Sequence, residues 1–164
     1  MTTKSVSVEQ RIAAPAAHVW EAMTDLRGMD RVLSGVERVE VLTDGPFREG
    51  TRWRETRRML GKEATEEMYV TASEPPGRYV VEADSQGAHY VSEFTLQPLG
   101  PETTVVRMTF SAVPPGGAMG LLAKVLGGLG ARAVRKAIAR DLADIAAAVE
   151  GRRSGEGEGG SGAG

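Results

Sequence analysis

The sequence predicts an α+β fold in which a mainly antiparallel sheet of about seven strands packs against helices on one face. Seven segments have the composition of strands, and the first shows apolar and polar residues alternating with a period of two. From about Ala118 to Val149 the apolar residues instead recur with the 3.6-residue period of a helix. Because the strands and the long helix are segregated along the chain, this order favours an antiparallel sheet.

The first strand is predicted over residues 6–12, and two short helices follow it. Pro15 suits the first turn of a helix, because the N–H that proline lacks would have no partner there. Apolar residues keep helical spacing over residues 19–26. Gly28 and Gly35 then bracket a second short helix or turn.

Six further strands are predicted in succession, separated by residues typical of turns. The predicted strands are 36–41, 51–60, 64–73, 78–85, 89–97 and 103–113. The turn residues are Gly45-Pro46, Gly61, Pro75-Pro76-Gly77, Gln86-Gly87 and Gly100-Pro101. Short connections of this kind indicate hairpins.

The chain ends in a long predicted helix and a glycine-rich tail. About 32 residues of helix would be roughly 48 Å long, and Gly127, Gly128 and Gly130 predict a kink or a break in it. Residues 151–164 contain seven glycines and no apolar residue larger than alanine. Because such a segment cannot bury enough surface to offset the entropy of ordering, we expect one domain over residues 4–150 and a disordered tail.

Composition excludes several classes of protein. The 164 residues include 20 Lys and Arg against 22 Asp and Glu, so the net charge of −2 argues against nucleic-acid binding. The chain has no cysteine, which excludes disulfides and thiolate metal sites. No apolar run is long enough to span a membrane, and the amino terminus lacks the apolar segment of a secretory signal. We therefore expect a cytoplasmic location.

Several short motifs resemble those of the START-like, or SRPBCC, superfamily, which has the helix-grip fold. The matching residues are Ile12-Ala13-Ala14-Pro15-Ala16-Ala17-His18-Val19-Trp20, Asp25, Gly35-Val36, Gly50-Thr51-Arg52-Trp53 and Glu74-Pro75-Pro76. The superfamily includes polyketide cyclases and dehydratases, lipid-transfer domains and plant allergen-like proteins. The resemblance covers residues 4–150 and implies a curved sheet wrapped around the C-terminal helix, with an apolar cavity between them.

The hairpin around Gly61 predicts a mixed apolar and charged inner face. With Gly61-Lys62 as the central residues of a tight turn, Arg57 would lie opposite Glu66 and Trp53 opposite Val70. Alternate residues share a face, and the other face is almost entirely polar. The predicted inward set is Trp53, Glu55, Arg57, Met59, Ala64, Glu66, Met68 and Val70.

A turn at Gln86-Gly87 predicts the rest of the inner wall. It would place Tyr79 opposite Phe94 and Val81 opposite Ser92, and the next pairing would place Phe94 opposite Met108. The pattern fits either a packed core or the lining of a pocket. The candidate ligand-binding residues of both hairpins and the last strand are Trp53, Glu55, Arg57, Glu66, Met68, Val81, Tyr90, Ser92, Phe94, Met108 and Phe110.

Glu55 and Glu66 are the candidate acid and base, with Arg57 as a polar anchor for a ligand carbonyl or hydroxyl. Charges that face a dry interior must be paired and hydrogen-bonded. The alternative is that the pair is structural, or that this hairpin is solvated on both faces. No Gly-x-Ser-x-Gly motif and no phosphate-binding loop occurs.

The two histidines favour structural roles. His89 is predicted opposite Asp84 in a surface cross-strand pair, and His18 lies on the first helix in a packing or surface role. Two isolated histidines do not supply the usual ligands of a metal site, so we expect neither a metal nor another cofactor.

The resemblance and the inner wall together predict a protein that binds a hydrophobic small molecule, such as a lipid, polyketide or isoprenoid-like compound. Two alternatives stay open: a metal-free lyase similar to polyketide cyclases and dehydratases, and a quinone-binding or regulatory partner protein. Residues 118–140 run from apolar to basic, a layout that suits transient contact with a membrane surface as well as packing on the sheet.

Overall fold

The computed structural model describes residues 4–59, 61–85, 87–113 and 129–158. Its seven strands form one antiparallel sheet in the order β1-β7-β6-β5-β4-β3-β2. The strands are β1 Lys4–Ile12, β2 Val36–Val41, β3 Arg52–Met59, β4 Lys62–Glu74, β5 Arg78–Ser85, β6 Ala88–Gly100 and β7 Thr103–Val113. The helices are α1 Ala16–Thr24, a 3-10 turn Leu26–Gly28, α2 Met29–Val32 and α3 Leu129–Glu158. This is the α+β helix-grip arrangement that the sequence predicts.

The segment after β1 forms the two short helices in the predicted places. The Pro15 carbonyl accepts hydrogen bonds from the N–H groups of His18 and Val19, both at 3.1 Å, and so begins α1. The helix buries Val19 and Met23 against the core. The sheet bends where strand pairing shifts register, including the step between Val70 and Ala72.

The β5–β6 and β6–β7 pairings confirm the predicted registers. Tyr79 pairs with Phe94, Val81 with Ser92, and Phe94 in turn with Met108. Tyr90 lies opposite Ala83 on one side and opposite Ala112 on the other. The predicted aromatic and aliphatic wall therefore lies on one face of the sheet.

The predicted register of the β3–β4 hairpin is wrong by two residues. Met59 pairs with Lys62, so Arg57 lies opposite Ala64 and not opposite Glu66. In the observed pairing Gly61 is the second of the two central turn residues. Its φ is +78°, a positive value that glycine adopts readily. Because side chains alternate with a period of two, a shift of two residues leaves every side chain on its predicted face.

The terminal helix α3 spans 30 residues, about 45 Å at 1.5 Å per residue. Its buried stripe contains Ile138, Leu142, Ile145 and Val149. The sequence predicts a disordered tail from residue 151, whereas the backbone is helical to Glu158. Extending an existing helix costs much less free energy than starting one. The domain boundary at residue 150 stays a prediction.

The described residues include no helix that is long and apolar enough to cross a membrane. The predicted kink at Gly127 and Gly128, and residues 118–128 of the predicted membrane-contact segment, lie outside the described residues. Within the rest of that segment, Arg135 donates to the Ser7 carbonyl at 3.0 Å and Arg140 donates to the Ser34 hydroxyl at 2.8 Å. Membrane contact stays a prediction.

Candidate functional site

A cavity of about 330 Å³ lies between the concave face of the sheet and α3. All eleven residues that the sequence proposes as ligand contacts line it. They are Trp53, Glu55, Arg57, Glu66, Met68, Val81, Tyr90, Ser92, Phe94, Met108 and Phe110. The short helices and the residue after them add Met23, Leu26, Met29 and Leu33 to the lining, and α3 adds Val134, Ile138, Asp141, Leu142 and Ile145.

Aromatic rings make up much of the apolar wall. Tyr79 stacks on Phe94 with ring centroids 4.6 Å apart, and meets Trp20 and Phe47 edge to face at 5.4 and 5.1 Å. Tyr90 stacks on Phe110 at 5.5 Å. Aromatic pairs in these geometries contribute stability beyond the apolar area that they bury, so the rings form a connected part of the wall.

The polar end of the cavity is built around Arg57. Its Nε donates to Glu55 Oε1, while Nη1 and Nη2 lie 3.1 and 2.8 Å from the two carboxylate oxygens of Asp141. The Trp53 indole N–H lies 3.4 Å from Glu55 Oε2. Glu55 is 4% exposed, whereas Arg57 and Asp141 are 24% and 21% exposed. The cluster therefore links strand β3 to helix α3 across the cavity.

Electrostatics set the protonation of this cluster. Burial lowers the pKa of Arg57, but the negative charges of Glu55 and Asp141 outweigh it, and the net effect raises that pKa, so the guanidinium stays charged. Burial raises the pKa of Asp141 and outweighs the hydrogen bonds from Arg57, which lower it. Glu55 and Asp144 act in the same direction as burial. Asp141 is thus harder to ionise here than a solvent-exposed aspartate.

A second set of polar contacts fixes the loop between α2 and β2 onto α3. The backbone N–H and hydroxyl of Ser34 donate to Asp144 Oδ2 at 2.9 and 2.7 Å. A Cβ on Gly35 would lie 3.4 Å from Arg57 Nη1, so this loop also packs closely on the charged cluster. These contacts hold Leu33 in the cavity wall.

Glu66 differs from the other carboxylates of the cavity. It lies opposite Glu55 on the neighbouring strand, is half-buried, and has no hydrogen-bond or ion-pair partner within the described part of the chain. Burial, followed by the negative charge of Glu66, raises the pKa of Tyr90. The Arg57–Glu66 pair predicted from the sequence is therefore wrong, because Arg57 binds Glu55 and Asp141.

Three hydroxyls in the cavity wall are also without partners among the described residues: those of Tyr79, Tyr90 and Ser92. Tyr79 is 4% exposed, and burial raises its pKa well above the usual value. In the described chain no side-chain oxygen that is fully shielded from solvent lacks a partner. The Tyr79 hydroxyl is therefore not fully shielded from solvent. Because the Tyr79 side chain lines the cavity, its hydroxyl borders the cavity space.

Asp141 lines the cavity and was not among the residues that the sequence predicted there. Its position is three residues after Ile138 and four before Ile145, so it shares a helix face with two cavity residues. A charge inside an apolar stripe was the available signal. Phe47 also lines the cavity, but it lies in the loop before β3, where no strand or helix period predicts which way a side chain faces.

Neither histidine lines the cavity. His89 lies within 2.7 Å of both Asp84 and Glu82, which confirms its predicted pairing with Asp84, and His18 is exposed on α1. Hydrogen bonds that His89 donates to Asp84, and then to Glu82, raise the pKa of His89. The described residues contain no group of three or more His, Cys, Asp or Glu arranged to hold a metal ion.

Residues 3–150 match the family described as polyketide cyclase/dehydrase and lipid transport. Two similar solved structures each have a TM-score of 0.73. TTHA0849 from Thermus thermophilus is 22% identical, and the match covers 91% of this chain and 99% of that protein. The Zhui aromatase/cyclase from Streptomyces sp. R1128 is 21% identical, and the match covers 92% of this chain and 96% of that protein. A START superfamily protein from Mycobacterium smegmatis has a TM-score of 0.63 at 16% identity, covering 82% and 93%. At these identities the structures show the fold alone. None of the curated proteins compared matches the chain.

Proposed function

The chain belongs to the polyketide cyclase/dehydrase and lipid transport family, and on that premise we propose that it binds one hydrophobic small molecule in the cavity between the sheet and α3. The family indicates either hydrophobic ligand binding or cyclase-like chemistry. Binding is the function that the described residues support most directly.

The observation that carries this proposal is a cavity of about 330 Å³ with a mostly apolar lining and a few convergent polar groups. Ligand sites generally have volumes of roughly 300–1,000 Å³ and this mixture of wall chemistry. Apolar rings and methionines would supply affinity through the hydrophobic effect. Ser92 and Glu66, whose side-chain oxygens have no partner among the described residues, would orient the guest.

Calorimetric titration with 2-(2-naphthyl)ethanol, a neutral aromatic probe, tests the proposal. We expect one probe molecule to bind per chain. Ser92→Phe adds a ring inside the cavity and should abolish binding, because the added volume displaces the guest. The matched control is Val91→Phe, which adds the same ring on the opposite face of β6 and should bind normally. Equal binding by wild type and Ser92→Phe would place the probe outside the cavity.

A second candidate function is proton transfer of the cyclase or dehydratase kind. It is favoured by Glu66, a cavity carboxylate with both oxygens free of partners among the described residues. Glu55 is less suited to act as a base, because its two oxygens accept from Arg57 and Trp53. A general base must reach the proton that it removes, and Glu66 borders the space where a substrate would lie.

Proton exchange separates the two functions. The α-protons of 1-(2-naphthyl)-1,3-butanedione in deuterated buffer can be followed by NMR with and without the protein. The enzymatic function requires an exchange rate that rises with the protein, falls in Glu66→Gln, and is retained in Glu67→Gln on the outer face. Binding without accelerated exchange would leave the protein a carrier.

A further inference from the structure

We infer that the natural guest of this cavity is an apolar molecule that carries one positively charged nitrogen, and that Glu66 is the residue that recognises it. The inference rests on the proposed binding function and narrows it to one ligand class. The inference excludes fatty acids and other carboxylates as natural guests of the cavity.

The first step is the balance of charge around the cavity. The charged residues among its described lining are the four carboxylates Glu55, Glu66, Glu82 and Asp141, and the single guanidinium of Arg57. Glu82 alternates with the inward-facing Val81 and Ala83, so its carboxylate lies on the other face of β5, where His89 is 2.7 Å away. Glu55, Arg57 and Asp141 together keep a negative charge when both carboxylates are ionised. Carboxylates therefore outnumber cations among the described lining residues, and Glu66 is the one that has no partner among them.

The second step concerns the one cation. An anionic guest would need Arg57, but its Nε is engaged by Glu55 and both terminal nitrogens are engaged by Asp141. The guanidinium keeps one further N–H on each terminal nitrogen, but a third anion there would add uncompensated negative charge beside Glu55, which is 4% exposed. Arg57 thus serves the protein's own carboxylates, and a carboxylate guest would find no free cation among the described lining residues.

The third step is the state of Glu66 once the cavity is filled. Without a guest, water can hydrate this half-buried carboxylate. A guest that displaces the water removes that hydration, and burying an unpaired charge is costly. A guest with an ammonium group restores the balance, because a charge-assisted hydrogen bond replaces the lost water.

Two further features suit a cationic guest. The Tyr79 hydroxyl, in a side chain that is 4% exposed, has no partner in the described chain and borders the cavity, so its oxygen is free to accept a hydrogen bond. The stacked rings of Tyr90 and Phe110 lie in the same wall, and Tyr90 is close enough to Glu66 for the carboxylate to raise its pKa. Aromatic faces attract cations, so a nitrogen near Glu66 gains from both.

Three isosteric probes test the inference: 2-(2-naphthyl)ethylamine, 2-(2-naphthyl)ethanol and 2-naphthylacetate, titrated by calorimetry at pH 7 and low salt. We expect the amine to bind about tenfold or more tightly than the alcohol, and the carboxylate most weakly. Glu66→Gln should reduce the preference for the amine over the alcohol to about threefold or less. Glu67→Gln, which removes the neighbouring carboxylate on the outer face, should preserve the preference.

The outcomes separate this inference from the proposed function. If none of the three probes binds, the proposed function fails. If the alcohol binds and the amine binds no more tightly, the function survives and the cationic guest is refuted. The role of Glu66 is refuted if Glu66→Gln keeps the wild-type preference for the amine over the alcohol.

Discussion

Replacing Arg57 by methionine is the perturbation that most directly tests the charged cluster. The variant keeps most of the side-chain volume and removes the counter-charge of two carboxylates. Removing one partner of a buried ion pair typically costs about 3–5 kcal/mol, because the other charge stays buried and unpaired. Arg57 and Asp141 are 24% and 21% exposed, so water screens part of the loss. We expect the free energy of unfolding to fall by about 2–4 kcal/mol.

The assay is urea unfolding followed by circular dichroism, with thermal unfolding in parallel. A loss of this size should lower Tm by about 5–15 °C in a domain of this length. Arg58→Met is the matched control: the next residue faces outward, is 60% exposed and pairs with Glu37 at 2.7 Å. Such a surface pair should cost no more than about 1 kcal/mol.

A double variant and a pH series sharpen the interpretation. Adding Glu55→Gln to Arg57→Met should recover part of the stability, because the second change removes a carboxylate that the first leaves unpaired. The deficit of Arg57→Met should also shrink at low pH, where protonation neutralises the buried carboxylates. A loss below about 1 kcal/mol at pH 7, or an equal loss in Arg58→Met, would refute the reasoning.

Three further predictions concern other parts of the molecule. The fold raises the pKa of His89, so the stabilising effect of its charge is present below the unfolded pKa of 6.5 and is lost as pH rises through the folded pKa. Urea titrations at pH 6 and 8.5 should show a loss of stability from this source of under about 1 kcal/mol. His89→Gln should remove that loss. Burial raises the pKa of Asp141, so its contribution to folding stability is present below the unfolded pKa of 3.8 and declines as pH rises through the folded pKa. Asp141→Asn should flatten this part of the plot of stability against pH. An unchanged slope would contradict the raised pKa of Asp141. Gly61→Ala forces a side chain to φ +78° and should cost about 1–2 kcal/mol, whereas Gly77→Ala, where the φ is not positive, should cost less.

The sequence predicted the fold because its two periodicities are clear and its turns are well marked. Gln86-Gly87 admits one obvious two-residue turn, and the pairings that follow from it are confirmed. Gly61 is ambiguous, since it can be the first or the second central residue of a turn, and the wrong choice shifted β3 against β4 by two residues. The face assignments survived that error because two residues are one full period of a strand.

The same reasoning explains what the sequence could and could not predict about the cavity. The strand residues that line it follow from alternation, so all eleven were accessible to pattern reasoning. The partner of Arg57 was not, because Asp141 is 84 residues away and no local rule brings a helix residue to a particular strand residue. The pairing depends on how α3 is rotated over the sheet, which is a property of the whole core.

The central claim is that the space between the sheet and α3 holds a guest. Native mass spectrometry of the freshly purified protein, followed by solvent extraction, tests it most directly. We expect a fraction of the wild-type chain to carry one bound organic molecule, and this mass increment to be absent from Ser92→Phe and present in Val91→Phe. A wild-type spectrum with only the bare chain, unchanged after incubation with 2-(2-naphthyl)ethanol and its amine analogue, would contradict the claim.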